Sequence, residues 1–305
     1  MEGTKILNVT RDFEKFAEGI KEAMERRYPD RTVELKQVQK NNGVVLTGIT
    51  ISSEGEKIYP TMYLENFYEE SSGVITESLL DEMCSVYEAR RLTGIDMTHL
   101  THYDNIKDML RVKLINYEAN KARLEEIPHR KYMDLAIVPY VIVSGLRLEG
   151  EATFTVKYNH LEMWDVTGEQ VLEDAIGNTL EREQVNIKSM YEMLTILDPR
   201  MAEIAGDELK ACPMYVMLTE RASGAISMMF EDKIKEFCEK MDSDVYIIPS
   251  SVEEVILIPV ESDMNEEALG NMIKDVNRAE LREEDVLSDH AYYFDRKLGY
   301  KEACA

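Results

Sequence analysis

The stretch that decides the fold is VYIIPSSVEEVILIPV, which occupies residues 245–260. Two short apolar runs, at 245–248 and 255–260, surround a polar centre, and runs bounded in this way by turn residues predict two buried strands. Helices are predicted at 230–241 and 264–277, because apolar residues there recur at steps of three and four. Two strands joined by a short turn and enclosed by helices indicate an antiparallel sheet with helices packed against it.

The same succession of strands, turns and helices continues outward along the chain. Asn41-Asn42-Gly43 is a turn signal between two predicted strands, because Asn and Gly accept positive φ at low cost. Pro139 interrupts the apolar run at 135–143 and favours an edge strand or a bulge, since proline has no N–H for a ladder. We therefore predict the α+β class, with mainly antiparallel sheets covered by helices. The other predicted helices lie at 12–27, 75–91, 117–126 and 168–182, and the other predicted strands at 32–38, 43–52, 57–64, 112–116, 152–158, 214–218, 225–229 and 289–295.

A weak pattern near residues 195–212 separates the two halves of the chain. It contains Asp198-Pro199 and Gly206, which interrupt regular structure. We predict an N-terminal α+β region at 1–197 and a C-terminal α+β region at 198–305, with one compact unit as the alternative.

Negative charge dominates the composition and lies mostly in the second half. The 305 residues include 35 Lys and Arg against 59 Asp and Glu, which gives a net charge of −24. The net charge is −5 over residues 1–150 and −19 over residues 151–305. Such a surface repels phosphate backbones and anionic membranes, so nucleic acid and membrane are excluded as partners. The sequence leaves a protein partner, bound through the acidic surface, as the expected one.

Several features favour a cytoplasmic location. Charged residues interrupt every apolar stretch before it reaches the ~18 residues that a membrane helix needs. The first residues show no basic start followed by an apolar core, so no secretory signal is predicted. The four cysteines form no C-x-x-C pair, and reduced thiols are the expected state.

Familiar catalytic and cofactor signatures are missing from the sequence. There is no G-x-x-x-x-G-K-[ST], no G-x-G-x-x-G, no G-x-S-x-G and no H-E-x-x-H. We therefore expect no cofactor.

The nearest pattern to a metal site lies between Asp96 and Asp104, where His99 and His102 are three residues apart. Zinc needs three or four such ligands on a rigid support. This segment is typical of a loop because it follows Gly94 and contains two threonines. No metal is predicted, and His99 and His102 remain weak candidates.

The candidate catalytic residues come from separate blocks of the chain. His129 and Asp134 precede an apolar strand and have the residue types of a general base and its orienting carboxylate. His160, Ser250 and Glu254 complete the group if these blocks meet in space. Ser250 and Ser251 each have a glutamate three residues later, a spacing that also predicts a capping box and one helical turn.

Several blocks together resemble an uncharacterised bacterial family of acidic proteins of about 300 residues, of the type found in gut anaerobes. The resemblance covers nearly the whole chain and implies no known activity, cofactor or catalytic residue. It favours an accessory role slightly. The matching blocks lie at 41–49, 58–64, 128–136, 246–255 and 287–292.

Three hypotheses of function follow from these patterns. The first is a cytoplasmic, non-enzymatic interaction protein whose acidic C-terminal half meets a protein partner. The second is an enzyme with a nonstandard acid–base site near His129, Asp134 and Ser250. The third is an acidic inhibitor that mimics DNA, which requires carboxylates in two rows at the spacing of duplex phosphates. The sequence does not specify an oligomeric state.

Overall fold

The computed structural model shows an α+β protein built from antiparallel strand pairs and helices, which confirms the predicted class. The chain divides into two compact units. Unit 1 is Met1–Met97 with Gly145–Glu151, and unit 2 is Thr98–Ser144 with Ala152–Ala305. The boundary predicted between residues 197 and 198 falls inside unit 2, because a strand before it pairs with a strand after it. The structure describes residues 6–9, 12–54, 59–90, 97–143, 152–198, 200, 214–220, 224–249, 251–260 and 266–301.

The described residues of unit 1 form two small antiparallel sheets and three α-helices. Its elements are β1 (Ile6–Val9), α1 (Phe13–Arg27), β2 (Thr32–Gln39), β3 (Val45–Ser52), β4 (Thr61–Tyr63), α2 (Leu64–Ser71), β5 (Val74–Thr76) and α3 (Glu77–Arg90). One sheet has the order β2-β3-β4, and β1 pairs with β5 in the other.

The predicted helix at 12–27 forms as α1, and its sequence explains both its start and its buried face. The Asp12 side chain accepts hydrogen bonds from two backbone N–H groups of the first turn, which would otherwise lack partners. Phe16, Ile20 and Met24 follow at steps of four and are fully buried. They belong to the core of unit 1, together with Ile49 and other apolar residues.

Unit 2 contains two larger antiparallel sheets. Its elements are α4 (Tyr103–Ile106), β6 (Leu110–Asn116), α5 (Lys121–Leu124), β7 (Arg130–Tyr132), β8 (Leu135–Val143), β9 (Ala152–Thr155), α6 (Tyr158–Trp164), α7 (Gly168–Arg182), β10 (Val185–Ser189), α8 (Met190–Leu197), β11 (Tyr215–Thr219), α9 (Glu231–Met241), β12 (Val245–Ile248), β13 (Val255–Pro259), α10 (Glu266–Glu280), β14 (Tyr292–Asp295) and β15 (Gly299–Tyr300). Among the described residues, no helix has the length and apolar character that crossing a membrane requires.

The hairpin predicted at 245–260 forms as β12 and β13, near the middle of a six-stranded sheet. The register runs from the pair Val245–Pro259 to the pair Ile248–Ile256. The sheet order is β10-β11-β13-β12-β14-β15, so both strands of the hairpin have neighbours on each side. All residues of β12 and all but Ile256 of β13 are buried, so both faces of the hairpin are apolar.

Pro139 lies in a central strand, so its predicted position at an edge was wrong. β8 pairs with β6 on one side and with β7 and β9 on the other. The Pro139 carbonyl accepts a hydrogen bond from Val156 N at 3.0 Å, so it points to the side of β9. The N–H and C=O of one strand residue point the same way. Pro139 therefore faces Val156 at the end of β9, and this pair makes one backbone hydrogen bond where two are usual.

Three local predictions were wrong, and at one of them, Gly224, the structure shows a close backbone approach. Residues Gly224–Met229 form a 3₁₀ helix instead of a strand, and a Cβ on Gly224 would lie 1.7 Å from the Glu253 carbonyl oxygen. The helix predicted at 117–126 is reduced to the single turn of α5. Ser251 forms an isolated bridge with Val286 in place of a helical turn, so the predicted capping box at Ser251 is absent. Ser250 lies outside the described residues.

Candidate functional site

Asp134, one of the predicted acid–base residues, lies in the tight turn between β7 and β8. Met133 beside it has a φ of 56°, the left-handed conformation that such turns use. The Asp134 carbonyl accepts a hydrogen bond from Tyr117 N at 3.1 Å, which fixes the turn. Its carboxylate accepts a hydrogen bond from the Tyr292 hydroxyl and lies 3.8 Å from His290 Nε2. The structure therefore gives Asp134 a histidine neighbour other than the predicted His129.

His290 connects Asp134 to a serine. Its Nδ1 is 3.0 Å from Ser288 Oγ, and its Nε2 faces Asp134 Oδ2. Serine, histidine and aspartate in this order have the residue types of a nucleophilic triad. Ser288 is only 1% exposed, however, and the distance of 3.8 Å exceeds that of a hydrogen bond. A substrate has no access to this serine, so the arrangement fits acid–base or structural work at Asp134 and His290, which are each 41% exposed.

Two asparagines hold the segment that carries His290. Asn277 Nδ2 donates to the Ser288 carbonyl at 3.0 Å and to Asp289 Oδ1 at 2.9 Å. Asn116 Nδ2 donates to the Leu287 carbonyl at 3.0 Å. Because Asn116 lies in β6 and Asn277 in α10, the position of His290 depends on contacts among three segments that are distant in sequence. These are β6, α10 and the segment that carries His290. We call Asp134, Ser288, His290 and Tyr292 the Asp134 network.

Buried tyrosines surround the Asp134 network. Tyr292 is 1% exposed, and burial raises its pKa well above the ordinary value, with a further contribution from the hydrogen-bonded Asp134. Burial also raises the pKa of Tyr132 and of Tyr300. The hydroxyls of Tyr132 and Tyr300 both donate to the Met228 carbonyl, at 3.3 and 2.8 Å. These phenols therefore stay protonated and act as hydrogen-bond donors at neutral pH.

The other predicted catalytic residues contact other groups. His129 Nδ1 is 2.8 Å from the Ile127 carbonyl. His160 Nδ1 accepts a hydrogen bond from Lys157 N at 3.1 Å, and burial followed by the charge of Lys157 lowers its pKa. Glu254 is half-buried next to β13. Within the part of the chain that the structure describes, no hydrogen bond or ion pair joins these three residues to Asp134, and Ser250 lies outside that part.

The two weak metal candidates lie in short helical turns. His99 is in a 3₁₀ helix over Met97–Thr101, and His102 precedes α4 without a side-chain cap bond. Over the described residues, no group of three or more His, Cys, Asp and Glu side chains has the geometry to hold a metal ion. Asp96 lies outside these residues.

A polar cleft lies elsewhere in unit 2, between α4 and α7. Its volume is about 390 Å³. Gln170, Asp174 and Asn178 are four residues apart on α7, so they share one face of that helix. This spacing is visible in the sequence and is the signal by which the cleft could have been recognised. The side chains that line it, which we call the polar cleft, are Tyr103, Asp104, Lys107, Asp108, Gln170, Asp174 and Asn178.

Hydrogen bonds across the polar cleft fix its walls. The Tyr103 hydroxyl donates to Asp174 Oδ2 at 2.6 Å, and burial followed by Asp174 raises the pKa of Tyr103. Asn178 Nδ2 donates to the Lys107 carbonyl at 2.7 Å. These contacts join α7 to the segment 103–109 and leave an open space between them.

The charge inside the polar cleft is negative. Asp104, Asp108 and Asp174 line it, against one lysine, Lys107. Lys107 lies 3.8 Å from Asp104, and Arg182 lies 3.1 Å from Asp108. All four of these side chains are about half exposed or more, so each ion pair is worth only about 0–1 kcal/mol. An incoming cation can therefore replace these weak partners, and the cleft has the chemistry of a binding site for basic groups.

Fold and sites together define an α+β protein with a carboxylate-lined cleft and a buried tyrosine–aspartate network. The chain belongs to a family of unknown function, DUF5688, whose model matches residues 13–296. This match confirms the predicted resemblance to an uncharacterised family over nearly the whole chain. No curated protein and no solved structure matches the chain.

Proposed function

We propose that this protein is a cytoplasmic, non-enzymatic interaction protein that binds a basic segment of a partner protein at the polar cleft. The observation that carries the proposal is the cleft itself, in which Asp104, Asp108 and Asp174 surround a space of about 390 Å³. Cavities of about 300–1,000 Å³ are the usual size of ligand sites in proteins. A lysine or arginine side chain with its neighbours fits such a space.

The charge of the whole chain supports a basic partner. A net charge of −24 attracts cationic segments from a distance and repels acidic ones. The residues 151–305 carry −19 of that charge and include α7, which contributes half of the cleft. Long-range attraction and the local carboxylates therefore favour the same class of partner.

The polar cleft offers groups that bind rather than react. Among the described residues, its lining contains carboxylates, amides, one lysine and one tyrosine, but no cysteine, serine or histidine. The pKa of Tyr103 is raised, which weakens this phenol as an acid or nucleophile at neutral pH. These properties favour a binding role for the cleft.

The test is the affinity of the full chain for an arginine-rich peptide, measured by fluorescence anisotropy at low and high salt. We expect salt-sensitive binding that Asp174→Asn and Asp104→Asn weaken several-fold each. The matched control is Glu280→Gln, which removes one exposed charge from α10 and leaves the cleft lining intact. Equal weakening by the control, or no binding by the wild type, would contradict the proposal.

A second candidate function is acid–base catalysis at the Asp134 network. The observation that favours it is the half-exposed pair of Asp134 and His290, with Ser288 3.0 Å from His290. Asp134, Ser288 and His290 are not among the residues that line the polar cleft, which is why we place this function second. Hydrolysis of an aryl acetate by the wild type, abolished in His290→Gln and Asp134→Asn, would establish it. If the wild type hydrolyses the ester no faster than the His290→Gln variant does, acid–base catalysis at the Asp134 network is excluded for such esters.

The third hypothesis, an inhibitor that mimics DNA, stays a prediction. It requires two rows of carboxylates along one surface. Competition between the protein and duplex DNA for a DNA-binding enzyme would test it, and protein that leaves DNA binding unchanged would argue against it.

A further inference from the structure

The strand β10 forms one edge of the six-stranded sheet in unit 2. All five of its residues, Val185–Ser189, pair with β11. On its other side, no strand of the described residues pairs with it. An exposed strand edge offers backbone N–H and C=O groups to any further strand that approaches. As far as the described residues show, this edge is open to extension of the sheet.

The helix α8 begins directly after β10 and is apolar without being buried. It is held at its start by a capping box, in which Ser189 and Glu192 bond each other's backbone N–H groups. Five of its eight residues are Met, Leu or Ile, and none of the side chains described from 190 to 196 is buried. Ile196 is 66% exposed and Tyr191 is 38% exposed. A helix of this composition is normally covered by another apolar surface.

The strand edge and the helix meet at a second cavity, of about 340 Å³. The residues that line it come from the end of β10 and from one side of α8. We call them the β10–α8 surface: Lys188, Tyr191, Glu192, Thr195 and Ile196.

The charges of the β10–α8 surface decide which occupant fits it. Its two charged residues, Lys188 and Glu192, cancel, while the whole chain carries −24. A basic partner therefore gains nothing from this surface compared with the acidic remainder of unit 2. A second copy of the same chain is repelled by most of that remainder, but here it meets a neutral, apolar surface. This surface therefore repels a second copy less than the acidic remainder of unit 2 does.

Lys188 and Glu192 also complement themselves across a two-fold axis. In a two-fold contact each copy presents the same surface, so residue i of one copy meets residue j of the other, and the reverse. Lys188 of each copy then faces a surface that contains Glu192. An exposed lysine on an edge strand discourages unspecific pairing, and an opposite charge on the approaching copy removes that penalty.

We propose that the protein forms a two-fold homodimer through the β10–α8 surface. The two β10 edges pair antiparallel and continue the sheet from one copy into the other. The two α8 helices cover each other's exposed Ile196 and Tyr191. The surface does not include the polar cleft, so the proposal is independent of the proposed binding of a basic partner.

The first test is the molar mass of the full chain, measured by light scattering across a concentration series. The wild type is expected to give twice the monomer mass of 35.1 kDa, and Ile196→Glu is expected to give the monomer mass. The control is Leu298→Glu, at a residue that is 80% exposed in the turn between β14 and β15, which is expected to leave the dimer intact. A monomeric wild type, or equal dissociation by the control, would overturn the proposal. Circular dichroism verifies that each variant is folded.

The second test uses the reciprocal charges. Lys188→Glu places like charges on both sides of the two-fold contact, so this variant is expected to be monomeric. Adding Glu192→Gln, which keeps the capping box of α8, removes the opposing carboxylate and is expected to recover the dimer mass. A double variant that stays monomeric would contradict the two-fold arrangement, as would a Lys188→Glu variant that dimerises like the wild type.

Discussion

Two of the tyrosine–aspartate pairs in unit 2 have the same local chemistry and different surroundings. The Tyr292 hydroxyl donates to Asp134, and the Tyr103 hydroxyl donates to Asp174. In both pairs, burial is the first cause of the raised tyrosine pKa and the aspartate is the second. The Asp134 pair is enclosed by hydrogen bonds from several elements, whereas the Asp174 pair opens into the polar cleft.

This difference shows that the same hydrogen bond stabilises the fold in one place and shapes a binding surface in the other. The Tyr292 phenol is 1% exposed, so water reaches the position of its hydroxyl poorly although the Asp134 side chain is 41% exposed. Where the carboxylate lines an open cleft, water can take the place of the phenol. The predictions below use the two pairs to test this distinction.

The largest expected effect is loss of stability at alkaline pH. In both pairs the folded pKa of the tyrosine lies above the ordinary value of 10.0. Above pH 10 the unfolded chain has therefore lost these protons while the folded chain retains them, and the free energy of unfolding falls as pH rises. Each such tyrosine contributes a slope of up to about 1.4 kcal/mol per pH unit. Below pH 10 this contribution to stability is complete.

Urea unfolding at a series of pH values above 10 measures that slope. Tyr292→Phe and Tyr103→Phe should each reduce it, because each removes one titrating group. Tyr293 is an internal reference, because its hydrogen bond to Asp244 raises its pKa to about 12. This tyrosine therefore loses its proton within the pH range of the experiment. A slope that neither variant changes would mean that these tyrosines do not govern alkaline unfolding.

At neutral pH, Tyr292→Phe is expected to lower the free energy of unfolding by about 1.5–3 kcal/mol, because a hydrogen bond to a charged group is lost in a buried position. Urea denaturation gives the value directly. Tyr158→Phe is the matched control, since Tyr158 is 45% exposed and the change should stay within about 0.5 kcal/mol. Similar losses in both variants would show that the Asp134 network adds nothing specific.

Tyr103→Phe is expected to cost less, about 0.5–1.5 kcal/mol, since water in the cleft can hydrate Asp174 once the phenol is absent. The same denaturation experiment provides the comparison. If this variant loses as much stability as Tyr292→Phe, water in the cleft does not replace the lost hydrogen bond to Asp174. The contrast between the two pairs would then be wrong.

The sequence was sufficient for most of the fold because its strongest signals are local. The repeat of Phe16, Ile20 and Met24 predicts α1, and the apolar runs around residues 249–254 predict β12 and β13. The run at 225–229 is equally apolar but forms a 3₁₀ helix, since Gly224 approaches the backbone of Glu253 too closely for another arrangement. That approach depends on two segments that are distant in sequence, which no local pattern reveals.

The sites depend on such distant contacts more than the fold does. Asp134 was a predicted residue, but its partner Tyr292 lies 158 residues later in the chain. The polar cleft likewise joins Tyr103 to Asp174, which are 71 residues apart. Individual polar residues could be named from the sequence, whereas the pairs that they form required the strand pairing and helix packing of unit 2.

The smallest expected effect belongs to His290→Gln. The His290 Nε2 atom lies 3.8 Å from Asp134 Oδ2, which is longer than a hydrogen bond. That nitrogen is buried and has no hydrogen-bond partner among the described residues, although the side chain as a whole is 41% exposed, so replacing the ring removes no hydrogen bond to Asp134. Glutamine retains a polar group able to meet Ser288 Oγ, and the variant should therefore unfold at nearly the wild-type urea concentration at neutral pH. A loss as large as that of Tyr292→Phe would place His290 among the groups that hold the Asp134 network together. An activity lost in His290→Gln could then reflect lost stability and would no longer be evidence for acid–base chemistry at this pair.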